Sequence, residues 1–82
     1  MITGLQIRSA RNALRMSVEQ LSEVSGVSVR TIKRMESEDG IPNSTRPNLS
    51  AIETALTRAG IEFIGTPDDR PGIRITLPLP EK

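Results

Sequence analysis

The chain has 82 residues, with 11 Lys or Arg, 10 Asp or Glu, and a single aromatic residue, Phe63. This length supports one domain with a small, aliphatic core. Because the sequence contains neither Cys nor His, a disulfide framework, a Cys/His zinc site and histidine-based catalysis are excluded. The sequence also lacks a phosphate-cradling glycine loop, so we expect no enzyme activity and no cofactor.

The net charge of +1 is unevenly distributed along the chain. Residues 1–35 carry six basic and two acidic side chains, whereas the remainder carries five basic and eight acidic ones. Any nucleic-acid interface is therefore expected in the N-terminal half. No segment has the apolar length of a membrane span, and the N-terminal residues lack the apolar part of a secretion signal. We accordingly expect a cytoplasmic protein with no membrane partner.

The first predicted helix covers residues 5–15. Ile7, Ala10 and Leu14 recur at helical spacing and form one apolar face. The rest of its surface carries three basic residues: Arg8, Arg11 and Arg15. These arginines are available for solvent, for phosphate or for an intramolecular ion pair.

Two short helices are predicted on either side of Gly26. Ser17 can cap the first of them, and Gly26 supplies the backbone conformation that ends it. Ser28 can cap the second, in which Ile32 and Met35 are three residues apart and face inward. The opposite side of that helix carries one apolar and three basic residues: Val29, Arg30, Lys33 and Arg34. This arrangement is typical of a helix that enters the major groove of DNA.

The acidic stretch SEDGIPNSTRP, residues 37–47, is predicted to be a loop in which Arg46 is the only base. Asn48 is predicted to cap a fourth helix, which Gly60 closes. Its apolar stripe consists of four residues: Leu49, Ile52, Leu56 and Ala59. This helix is expected to cover the core.

From residue 61 onward the apolar residues alternate with polar ones, which predicts strands over residues 61–64 and 73–77. The intervening GTPDDRPG is rich in turn formers, so an antiparallel hairpin is expected, and Pro78 and Pro80 are expected to stop its second strand. The hairpin can lie on the helices or build a sheet with a second chain. We divide the chain into a DNA-binding domain, 1–60, and a hairpin and tail, 61–82, with dimerisation favoured.

The segment LSEVSGVSVRTIKRME, residues 21–36, resembles the helix-turn-helix of the Xre/Cro-like family of phage-repressor-type regulators. The resemblance includes the family's Leu, Gly, Val, Ser, Ile and Glu positions together, and it covers roughly residues 5–60. It implies a mainly α fold, a four-helix Cro/repressor-like DNA-binding domain followed here by a small C-terminal β-hairpin. It also implies a structural salt bridge between Arg11 and Glu36.

The resemblance further implies how the helices meet DNA. The residues expected to face base edges are Val29, Arg30 and Arg34. Near the phosphate backbone it implies Ser17, Ser28 and Thr31. Three bases are expected at phosphate because of their charge and not because of the resemblance: Arg8, Lys33 and Arg46. The chain departs from the family at Val18, where the family often has a Gln that donates to phosphate, because valine cannot donate that bond.

Simpler readings exist for the same residues. The bases of the third helix can be a solvated face, Arg46 can brace its loop, and Glu38 and Asp39 can either repel the DNA backbone or solubilise the loop. Taken together, the motif favours a sequence-specific DNA-binding transcriptional regulator, a dimeric repressor of an inverted-repeat operator. Two alternatives stay open: an autoregulating antitoxin with a toxin partner, and a protein-interaction adaptor that has lost DNA binding.

Overall fold

The computed structural model describes residues 1–76, which form four helices followed by a two-stranded antiparallel sheet. In chain order the elements are α1 (Gly4–Ala13), α2 (Val18–Ser25), α3 (Val29–Glu36), α4 (Arg46–Arg58), β1 (Ile61–Thr66) and β2 (Asp69–Ile75). The predicted mainly α architecture with a C-terminal hairpin is thereby confirmed. The predictions made for Leu77, Pro78 and Pro80 lie outside the described residues.

Helix α1 is closed at both ends by local chemistry. Thr3 and Gln6 form a capping box, in which Thr3 Oγ1 accepts from Gln6 N at 3.0 Å and Gln6 Oε1 accepts from Thr3 N at 2.8 Å. The helix ends two residues before the predicted Arg15, because Arg15 has a φ of 55° and a left-handed residue cannot continue an α-helix.

The start of α4 corrects the sequence prediction. The N-cap is Thr45 and not Asn48, since Thr45 Oγ1 accepts from the backbone N of Asn48 at 3.3 Å. Pro47 lies in the first turn, where its missing N–H needs no partner and its fixed φ suits the helix. Arg46 is therefore the first residue of α4 rather than a loop residue.

The hairpin turn is shorter than predicted. Only residues 67–68 form the turn, and the turn formers on either side belong to the strands. The antiparallel register has an irregularity between Ile64 and Thr66. Gly65 allows this bulge because its φ is 74°, and a side chain here would overlap the carbonyl oxygen of Arg70.

One aliphatic core joins the four helices and β1. Its buried members are Ile2, Ile7, Ala10, Leu21, Val27, Ile32, Met35, Leu49, Ile52, Ala55, Leu56 and Ile61. The inward direction predicted for Ile32 and Met35 is confirmed, as is the burial predicted for most of the apolar stripe of α4. No helix within residues 1–76 has the length and apolar character needed to cross a membrane.

The hairpin lies on the helices, which is one of the two arrangements expected for it. Phe63 and Ile73 are half-buried and pack against the core. The amide of Gln6 on α1 donates from Nε2 to the backbone oxygens of Ile64 at 3.3 Å and Gly72 at 2.9 Å. A buried amide thus fastens both strands to α1.

Candidate nucleic-acid interface

Helices α2 and α3 form a capped pair joined by a sharp turn. Ser17 Oγ accepts from Gln20 N at 3.0 Å, and Gln20 Oε1 accepts from Ser17 N at 2.8 Å, which completes a capping box on α2. Gly26 ends α2 in the left-handed conformation, with a φ of 78°. Val27 then enters the core, so the direction of α3 relative to α2 is fixed by burial as well as by the turn.

The two sides of α3 differ sharply in character. Ile32 and Met35 point into the core and are 0% and 1% exposed. The outer side carries the half-buried Val29 and three exposed basic residues; we call these four residues the basic face: Val29, Arg30, Lys33 and Arg34. None of its three basic side chains forms an ion pair with any residue of the described chain, 1–76. The basic face is therefore free to meet an anionic ligand.

The hydroxyl groups predicted to lie near phosphate are located at helix N-termini. Ser28 Oγ accepts from Thr31 N at 3.2 Å and donates to Thr31 Oγ1 at 2.9 Å, at the start of α3. Ser17 occupies the equivalent place at the start of α2. Backbone N–H groups and hydroxyls at such positions suit an anion such as a phosphate.

Val18, the position at which the chain departs from the family, contacts the core. It is the first residue of α2, it is half-buried, and it packs against the core. The chain thereby exchanges the amide donor that the family often has at this position for apolar contact.

Arg11 and Glu36, which the resemblance pairs, lie together at the far end of α3. Arg11 donates from Nε to Glu36 Oε2 at 2.7 Å and from Nη2 to Glu36 Oε1 at 2.9 Å. A third bond runs from Arg11 Nη1 to the carbonyl oxygen of Met16 at 3.0 Å. The pKa of Arg11 is raised, first by its side-chain hydrogen bond to Glu36 and then by the charge of Glu36, against the opposing effect of burial.

Arg8 is occupied by intramolecular partners, although it was expected at phosphate. It donates from Nη1 to the backbone oxygen of Glu36 at 2.6 Å, and its Nη2 lies 3.1 Å from Asp39 Oδ1. The structure thus gives Asp39 a basic partner, which neither sequence interpretation of this acid included.

Arg46 is the first residue of α4, whereas the other predicted phosphate contacts lie on α1 and α3 or at the N-termini of α2 and α3. It is exposed at the start of α4 and borders a surface depression with Met1, Leu49 and Glu53. Its side chain forms no hydrogen bond or ion pair within residues 1–76. The basis for placing it at phosphate is therefore its charge alone.

The sequence analysis did not identify two residues that determine how α1 packs against α3 and the hairpin. Gly4 lies so close to the end of α3 that a side chain would overlap the carbonyl oxygens of Met35 and Glu38. Gln6 joins α1 to both strands. The spacing of Thr3 and Gln6 could have revealed the cap, but no local signal in the sequence indicates a contact 66 residues away.

The chain is similar to a known protein family over much of its length. Residues 7–57 match a family model described as helix-turn-helix. The match covers more than half of the chain and includes α2, α3 and most of α1 and α4. No curated protein matches the chain.

Proposed function

The chain belongs to the Xre/Cro-like helix-turn-helix family of DNA-binding regulators, and we propose that it is a repressor that binds an inverted-repeat operator as a dimer. The observation that carries this proposal is the basic face of α3. Its charged groups are exposed and lack ion-pair partners within the described residues, while the opposite side of the helix is fully buried. The charge of this helix face is therefore available to bind a ligand, because it takes no part in ion pairs within residues 1–76.

In the proposed complex α3 lies in the major groove. Arg30 and Arg34 each present a planar fork of donors that matches the O6 and N7 acceptors of guanine, which is worth roughly 1 to 3 kcal/mol of discrimination per contact. Val29 meets the methyl group of a thymine. These three residues read the sequence.

The contacts to phosphate set the register of the protein on the duplex. Lys33 supplies a point charge beside the base-reading arginines, and the capped N-termini of α2 and α3 supply backbone N–H groups. The residues proposed for this role are Ser17, Ser28, Thr31, Lys33 and Arg46. They carry affinity and its salt dependence, but no sequence information.

Dimerisation is proposed to involve the hairpin and tail, residues 61–82. A two-stranded sheet has two outer edges, and Ile75 near the end of β2 is 41% exposed. A two-fold dimer would place its two copies of α3 about 34 Å apart, one helical turn of DNA, which accounts for an inverted-repeat target. From this DNA target we also propose a cytoplasmic location.

The proposal is tested by fluorescence-anisotropy titration with DNA from upstream of the chain's own gene and with shuffled DNA, over a series of salt concentrations. We expect selective, salt-dependent binding. Arg34→Ala should reduce the preference for the operator, whereas Lys33→Ala should weaken binding to both DNAs and lower the salt slope by about 1. If these two variants behave alike, the division of roles is wrong. Absence of binding even at low salt contradicts the proposal and favours a protein adaptor.

A further inference from the structure

The C-terminal end of α3 is held by two arginines of α1 that lie three residues apart. Arg11 binds the carboxylate of Glu36, and Arg8 binds the main-chain oxygen of the same residue. The second arm of the Arg8 guanidinium reaches Asp39, in the loop that follows α3. Arg8 therefore joins α1, the last residue of α3 and the following loop.

The hydrogen bond from Arg8 to the backbone oxygen of Glu36 has a clear physical effect on the end of α3. The last four carbonyl groups of a helix have no partner within the helix and carry its negative dipole end. A guanidinium at this end satisfies an acceptor and complements the dipole. The same loop is fastened a second time, because Gly4 N donates to the backbone oxygen of Gly40 at 2.8 Å.

Because Arg8 and Asp39 are accessible to solvent, their contact is expected to affect the orientation of α3 more than the stability of the fold. The side chain of Arg8 is 36% exposed and that of Asp39 is 80% exposed, so water and salt screen their ion pair. Their geometry nevertheless determines where the end of α3 lies relative to α1. A shift of that end would displace the basic face from the bases it is proposed to read.

We propose that Arg8 is a positioning residue for α3, which holds the end of this helix through Glu36 and Asp39 and does not bind a DNA phosphate. This inference rests on the proposed function of the basic face. It depends on the planar, two-armed guanidinium, because a lysine at this position is a single point charge and cannot present the same fork.

The first test compares Arg8→Ala with Lys33→Ala in anisotropy titrations against operator and shuffled DNA. If Arg8 is a positioning residue, Arg8→Ala should lower the operator preference of the protein about 3- to 10-fold. The slope of log affinity against log salt should stay at its wild-type value. A phosphate ligand instead lowers that slope by about 1 and leaves the preference intact. This second pattern overturns the inference.

Charge-conserving and neutral substitutions provide a sharper comparison. Arg8→Lys keeps the charge but not the fork, so it should reduce the operator preference as Arg8→Ala does. Asp39→Asn should reduce it about 2- to 3-fold. Asp68→Asn, which removes an exposed acid at the hairpin turn, is the matched control and should leave the preference unchanged. If Arg8→Lys matches the wild type, or if Asp39→Asn matches Asp68→Asn, the inference is wrong.

A measurement without DNA separates this inference from the proposed function. Hydrogen exchange in the free protein should be faster at the backbone N–H groups of Glu36 and Ser37 in Arg8→Ala than in wild type, by about 3-fold or more, and unchanged near the start of α3. Uniform or unchanged exchange overturns the positioning role whatever the DNA result. Failure of the wild type to select any DNA contradicts the proposed function but leaves this measurement able to decide on Arg8.

Discussion

Basic residues of the hairpin face carboxylates, whereas those on the outer side of α3 do not. In the hairpin, Arg70 Nε lies 3.0 Å from Asp69 Oδ1, and Arg74 Nη1 lies 3.4 Å from Glu62 Oε1. Lys33 and its neighbours on the basic face form no ion pair within the described part of the chain. Because both groups are exposed, exposure alone does not distinguish a binding surface from an ordinary one. Pairing does.

The same two regions differ in how they are packed. The buried side of α3 contributes Ile32 and Met35 to the centre of the core. The hairpin contributes one fully buried residue, Ile61, and is otherwise held by half-buried side chains and by Gln6. We therefore expect substitutions in the buried interior of the helical part to lower the free energy of unfolding more than substitutions in the hairpin do.

The largest effect is expected from Ile32→Ala, which removes buried methyl groups and leaves a cavity. It should lower the free energy of unfolding by about 2 to 5 kcal/mol in urea titrations followed by circular dichroism. Phe63→Ala in the hairpin should cost about 1 to 2 kcal/mol, because this ring is only half-buried. Equal losses would contradict the proposed difference between the regions.

The next effect concerns the buried ion pair at the end of α3. Glu36→Gln leaves the Arg11 guanidinium without its counter-charge and should cost about 2 to 4 kcal/mol. Because the pKa of Arg11 is raised, the stabilisation that this group contributes is complete below its ordinary pKa and is lost only as the pH rises through the raised pKa, and both lie well above the pH range of this comparison. The cost should therefore be the same at pH 6 and pH 9. A cost that differs between these two pH values contradicts the assignment to Arg11.

A smaller effect is expected at the turn between α2 and α3. Gly26→Ala meets no neighbouring atom, so only the left-handed backbone opposes it, at about 1 kcal/mol. Gly40→Ala is the matched control, since it also meets no neighbour and its φ is not positive. The control should be neutral or slightly stabilising. Similar destabilisation by both substitutions would show that the backbone conformation is not the cause.

The smallest effect is expected from the exposed pair on the hairpin. Glu62→Gln should change the free energy of unfolding by less than about 0.5 kcal/mol, because solvent and salt screen both partners. The contrast with Glu36→Gln compares the same chemical change in a buried and an exposed setting. A loss as large as that of Glu36→Gln would mean that the hairpin is more than a surface element.

The helical part was predictable from the sequence because its signals are local. Ser17, Gly26 and Ser28 set the helix ends through their own side chains or backbone, and the apolar spacing of α3 fixes its buried side. These features depend on neighbours within one turn of helix.

The sequence is less informative where distant contacts or backbone conformation decide the outcome. The turn formers of the hairpin belong to strands because Gly65 allows a bulge, and composition alone does not show this. The partners of Arg8 come from residues 28 and 31 positions away. The expectation that Arg8 meets phosphate followed from its charge, whereas its bonds are set by how α1 packs on α3.

The proposal that α3 reads the DNA is tested most directly by replacing two arginines in α3 and two in the hairpin. Arg30→Ala/Arg34→Ala and Arg70→Ala/Arg74→Ala remove the same charge, and competition between operator and shuffled DNA gives the preference of each variant. If α3 reads the DNA, the first variant should lose at least about 30-fold of the preference, because two base contacts are removed, and the second variant should keep it. If both variants keep the preference, or lose it equally, α3 does not read the DNA.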